Sequence, residues 1–113
     1  MIQMTMQVSD DLARRLKPIE PWLPTIIELS LIRFKTVAAA TASEIVEFLS
    51  TNPSQSALLN FHVSDAAQER LQRLLALNEA GLLSPQEQDE LDELEQIEHI
   101  LVMLKTQHIP RES

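Results

Sequence analysis

The sequence predicts a mainly α fold with one N-terminal β-strand shared in a homodimer and a C-terminal antiparallel helical hairpin. Three observations predict it. Residues 1–8 alternate strictly, with Ile2, Met4, Met6 and Val8 on one side and Gln3, Thr5 and Gln7 on the other, which is the two-residue period of a half-buried strand. Beyond residue 9 the apolar residues recur at helical spacing instead. The single glycine in 113 residues argues against sandwiches and barrels, which need many turn residues. A lone strand leaves its backbone N–H and C=O groups unpaired, so the expected solution is pairing with the same strand of a second copy.

After the strand, Ser9-Asp10-Asp11 offers N-cap chemistry for a short helix through Leu12, Ala13, Leu16 and Lys17. Pro18 stops that helix, because the residue before a proline is biased away from helical angles. Pro24 suits the first turn of a second helix over residues 24–37, where its missing N–H costs nothing. Leu23, Ile27, Leu31 and Phe34 form the expected stripe of this helix, and Trp22 reads as a core anchor. Thr41 and Glu44 have capping-box spacing ahead of a helix through Ile45, Val46, Phe48 and Leu49. Residues 53–63 read as a linker with an extended end.

The last third is the most explicit. Asp65 is placed to cap a helix carrying Leu71, Leu74, Leu75 and Leu77, and Gly81 falls where a helix terminus wants a left-handed residue. Ser84-Pro85-Gln86-Glu87 combines a capping serine, a proline at the first helical position and a reciprocal glutamate. The helix from residue 85 to about 107 carries the stripe Leu91, Leu94, Ile97, Leu101 and Leu104, and the two helices form a hairpin. Three units follow: a head over 1–37, a helix and linker over 38–63, and an acidic hairpin over 64–108, with residues 109–113 as a frayed tail.

The net charge of −8 is unevenly spread. Residues 1–37 hold five basic and four acidic groups, a net of +1, whereas residues 38–113 hold four basic and thirteen acidic groups, a net of −9. Only the head approaches nucleic acid without strong repulsion. The acidic remainder suits a basic partner or simply solvates the protein. The carboxylate run Glu87, Asp89, Glu90, Asp92, Glu93, Glu95 and Glu98 reads as a solvated helix face, and it lacks the bend-permitting glycine of a calcium loop. Glu95 and His99 share a face, but His62 and His108 have no matching carboxylate, so no metal site is expected. With no cysteine and no nucleophile or metalloprotease motif, neither a cofactor nor an enzymatic activity is expected. No secretory signal or membrane-spanning run of roughly 18 apolar residues is visible, so the expectation is a cytoplasmic protein with no membrane contact.

Met4-Thr5-Met6-Gln7-Val8, then Ser9 to Leu16, then an amphipathic helix from Pro24, resembles the ribbon-helix-helix DNA-binding domain. The resemblance implies a homodimer on operator DNA, with Gln3, Thr5 and Gln7 reading bases and Arg14, Arg15, Lys17 and Thr25 at phosphates. Glutamine bonds adenine twice and threonine meets the thymine methyl, at about 1–3 kcal/mol per good pair. The sequence differs from the family in the turn, Pro18-Ile19-Glu20-Pro21-Trp22-Leu23, and in opening the second helix with Pro24. A dimerising head joined to an acidic helical segment is similar also to bacterial antitoxins. That resemblance implies a regulator whose acidic part neutralises a basic toxin such as a ribonuclease, with Leu91, Leu94, Ile97, Leu101 and Leu104 as partner surface. The alternatives are that these leucines pack inside the hairpin, and that the chain is a helical adaptor with no DNA role.

Overall fold

The computed structural model describes residues 2–107, and within them every regular element is helical. The order is α1 (Asp10–Leu16), a 3-10 helix (Lys17–Trp22), α2 (Leu23–Leu31), α3 (Ala38–Leu49), α4 (Gln55–Leu59), α5 (Asp65–Glu79) and α6 (Pro85–Gln107). The tail at 109–113 and the last residue of the hairpin unit lie outside the described residues. No described helix is long and apolar enough to cross a membrane.

The N-terminal strand is corrected. Residues 2–9 carry no regular secondary structure, and both sides of the alternation face solvent, with Ile2 92%, Met4 87% and Met6 66% exposed. Alternation specifies which side chains share a face, but a strand exists only where a ladder satisfies its backbone. No such ladder is present among the described residues. The shared-strand, ribbon-helix-helix-like architecture is therefore replaced by an all-helical one with an extended arm.

Local chemistry explains the helix boundaries. Ser9 caps α1 by accepting from the Leu12 N–H at 3.2 Å. Pro18 and Pro21 then fit the tighter 3-10 turn, where fewer amide donors are required. The helix expected to reach residue 37 ends at Leu31, and Ile32 turns extended. The expected stripe is not the buried face: Trp22, Ile26 and Leu29 turn inward, leaving Ile27 45% and Leu31 75% exposed. Phe34 packs from the following loop instead of from the helix.

α3 begins at Ala38, so Thr41 lies inside it rather than capping it. Glu44 reaches the start of α5, accepting from the Ser64 N–H at 2.8 Å and from its hydroxyl at 3.1 Å. Ser64, not Asp65, caps α5 by accepting from the Ala67 N–H. The expected linker contains α4, capped by Ser54, and its Leu58 is wholly buried. Asn52 adopts a left-handed φ of 54° ahead of it, and its Oδ1 accepts from the Trp22 indole N–H at 3.2 Å.

The hairpin of α5 and α6 follows its sequence signals. Gly81 has φ 70°. Ser84 and Glu87 form a reciprocal capping box at 3.1 Å in each direction. α6 is the central post of the molecule, and α2, α3 and α5 pack around it. Its Leu91, Leu94, Ile97, Ile100 and Leu104 are buried among Leu29, Ile45, Leu49, Leu58 and Leu74 from the surrounding elements. α1 packs chiefly on the adjoining 3-10 helix. The radius of gyration is 16.3 Å, against about 13 Å for a compact chain of this length, and the extents of 51 × 37 × 27 Å describe an elongated body.

Candidate interaction surface

Two regions decide what this body can do: the apolar N-terminal flank and the polar side chains ringing α6. The flank starts with the arm. Met6 and Val8 fold back toward α1 and share a shallow groove with Ala13, Leu16 and Leu23, rimmed by Lys17 and Glu20. Ile27 and Leu31 continue from Leu23 at four-residue spacing along α2, so they lie on one face. The first 31 residues thus expose a strip of apolar side chains along the sequence, with Ile2, Met4 and Met6 on the arm and Ile27 and Leu31 on α2. Monomeric proteins rarely expose contiguous apolar patches beyond a few hundred Å², and larger ones mark interaction sites.

The sequence-predicted DNA contacts fall on the same segment but are not organised together. Gln3, Thr5 and Gln7 are exposed along the arm, with no element fixing their spacing. Arg14, Arg15 and Lys17 are exposed on α1 and just beyond it. Arg14 meets Asp11 at 3.7 Å, one helical turn away. Thr25 is half-buried in the first turn of α2.

The predicted partner stripe lies at the centre of the chain's own core. Leu91, Leu94, Ile97 and Leu104 are buried and Leu101 is half-buried, so an outside partner would find little of them. The exposed apolar residues near the C-terminal end of α6 are Val102 and Met103.

The acidic run divides in two. Asp89, Asp92, Glu95 and Glu98 face solvent. Glu87, Glu90 and Glu93, spaced three apart, are bonded instead: Glu87 caps its own helix, and Glu90 and Glu93 each hold another part of the chain. Glu90, 6% exposed, accepts two bonds from Arg70 of α5, at 2.7 Å from Nε and 2.9 Å from Nη2. This bidentate match raises the Arg70 pKa further above its ordinary value, against the opposing effect of burial. Glu93 accepts from the N–H groups of Lys35 and Thr36 at 3.0 and 3.2 Å and from the Thr36 hydroxyl at 2.7 Å. Burial pushes the Glu93 carboxyl up, but these three bonds and the Lys35 charge together hold it below the ordinary range. The Ser84 bonds likewise lower Glu87.

The solvated-face reading is therefore corrected for Glu90 and Glu93, while Glu87 fills the capping role expected of it. Glu87 serves the local cap with Ser84, whereas the partners of Glu90 and Glu93 lie 20 and 58 residues away. Among the described residues, no group of three or more His, Asp or Glu is placed to hold a metal ion. His62 and His99 are both exposed, and His108 lies outside the described residues.

No protein-family model, curated protein or solved structure matches this chain.

Proposed function

We propose that this chain is a helical protein-interaction module that self-associates through its N-terminal apolar strip and presents its acidic bundle outward. The observation that carries the reading is the exposure of Ile2, Met4, Met6 and Leu31 on one near-neutral segment. Charge favours a second copy as the occupant. Two copies meeting through residues 38–113 would bring together surfaces with a net of −9 each. Two copies meeting through residues 1–37, each at +1, avoid that repulsion.

The magnitudes suit such an association. Burying four large apolar side chains contributes on the order of 6–12 kcal/mol per copy. Loss of overall freedom on association costs about 4–15 kcal/mol, and ordering the arm adds to that cost. A dissociation constant near micromolar needs about 8 kcal/mol net.

Sedimentation equilibrium across the micromolar range is the test. The expected result is a dimer that Met6→Glu with Leu31→Glu converts to a monomer of unchanged helix content. A wild-type chain that stays monomeric at tens of micromolar would reject the reading.

A second reading, the antitoxin-like regulator, is favoured by the exposed Arg14, Arg15 and Lys17 on the one segment that does not repel DNA. In that reading the outward acids Asp89, Asp92, Glu95 and Glu98 meet a basic protein. Binding to the gene's own upstream DNA at two salt concentrations separates the two readings. Phosphate contacts make affinity fall steeply with salt, and a chain that ignores DNA leaves the interaction module alone.

A further inference from the structure

A cavity of about 260 Å³ opens between α3, α5, α6 and the turn at residues 61–63. It is a cleft beside the core, half open to solvent, and what sets it apart is an apolar lining that ends on a held lysine. Its walls are apolar: Ile45, Leu71, Leu94 and Leu101 contribute. Glu98, Val102 and Lys105 follow one edge of α6 at four- and three-residue spacing.

Its charged end is preorganised. The half-buried Lys105 donates from Nζ to the Phe61 carbonyl at 2.6 Å. An ammonium has three donors, so two remain for a ligand. The other polar groups of the lining do not compete for that end. Gln68 spends its Nε2 on the Val63 carbonyl at 2.8 Å, and His62 and Glu98 are exposed and screened by water. Thr41 is neutral. Glu98 is seven residues before Lys105, about 10 Å along the helix axis, so a group held at Lys105 leaves its tail against the apolar wall.

We propose that this cavity binds a small amphipathic carboxylate, with an unbranched apolar tail inside and its carboxylate on Lys105. Size sets the length. A cavity of about 150 Å³ holds benzene, so the space here takes on the order of ten non-hydrogen atoms, which is octanoate. The inference is independent of the self-association reading, because none of these residues lies on the N-terminal strip.

Calorimetric titration of the full chain with hexanoate, octanoate, dodecanoate and octylamine tests it. Affinity should rise about fourfold per added methylene up to octanoate, then level off by dodecanoate as the cavity fills. Octylamine should bind at least tenfold more weakly. Lys105→Met should remove the preference for octanoate over octylamine, and Ala67→Phe should block the space and abolish binding. Met6→Glu with Leu31→Glu should leave binding unchanged. The proposal is overturned by no binding up to millimolar octanoate, by octylamine binding as tightly, by affinity that climbs without limit with chain length, or by loss of binding on altering the strip. If Ala67→Phe does not fold, the octanoate and octylamine comparison in Lys105→Met decides alone.

Discussion

Cutting the Arg70–Glu90 pair from its two sides should have unequal effects. Glu90 is 6% exposed, whereas the Arg70 side chain is 38% exposed. Arg70→Met leaves a carboxylate on the buried face of α6 with no cation to match it. Removing one partner of a buried pair costs about 3–5 kcal/mol. Access of Arg70 to water puts the expected cost near the lower end, about 3 kcal/mol.

Glu90→Leu instead leaves a guanidinium already more than one-third exposed, which rehydrates. The lost attraction is then closer to that of a surface pair, about 0.2–1 kcal/mol. A buried leucine offsets it through the hydrophobic effect, by on the order of 1–2 kcal/mol. Glu90→Leu should therefore fall within about 1 kcal/mol of the wild type, and the double variant should resemble it rather than the sum of the two changes. Urea denaturation followed by helical circular dichroism gives all four free energies by linear extrapolation. A Glu90→Leu loss equal to that of Arg70→Met, or additive effects in the double variant, would refute the reasoning.

Glu93 provides a pH signature. Its carboxyl is held below the ordinary value of 4.5 when folded, so its contribution is present above about pH 4.5 and is lost as pH falls through the lowered folded value. The stability gap between wild type and Glu93→Gln, measured by urea titration at successive pH values, should be constant near neutrality and close below pH 4.5. Gly81→Ala meets no atom within 4 Å but must adopt φ +70°, so it should lose about 1 kcal/mol by thermal unfolding, while Gly81→Asn loses less. Leu74→Ala, at a fully buried position against α6, should cost about 2–5 kcal/mol in the same denaturation assay. Asn52→Ala should cost about 1–2 kcal/mol, by losing the Trp22 bond and placing a Cβ residue at positive φ. Asn52→Gly should recover the backbone part of that loss, which thermal scans of the three proteins resolve.

Much of the C-terminal half is legible in the sequence because its signals are local. Ser84, Pro85 and Glu87 act on one another within a single turn, and Gly81 answers to its own backbone angle. α2 is half legible. Its apolar positions support two stripes, and only packing decides that Trp22 and Leu29 turn inward while Leu31 does not. The arm is misread because alternation describes side chains, while a strand is made by backbone partners that the described chain does not provide. Glu44, Glu90 and Glu93 are invisible as tethers for a related reason. Each holds a group 20 to 58 residues away, and nothing in a carboxylate's immediate neighbours distinguishes a tether from a solvated charge. The predicted DNA contacts and the lysine-ended cavity show the same divide, one exposed along a segment and the other assembled from four separated stretches.

The central position of α6 bears on how the chain is made. Synthesis runs from the N-terminus, so α2, α3 and α5 leave the ribosome before the helix that joins their apolar faces. Until Leu91 to Leu104 emerge, Leu29, Ile45 and Leu74 have no common surface to cover. The nascent chain is then a string of helices awaiting its keystone, open to chaperones and proteases. Chains stalled before residue 85 should be digested rapidly and those released after residue 107 should resist, with the change in protease sensitivity falling as α6 clears the tunnel.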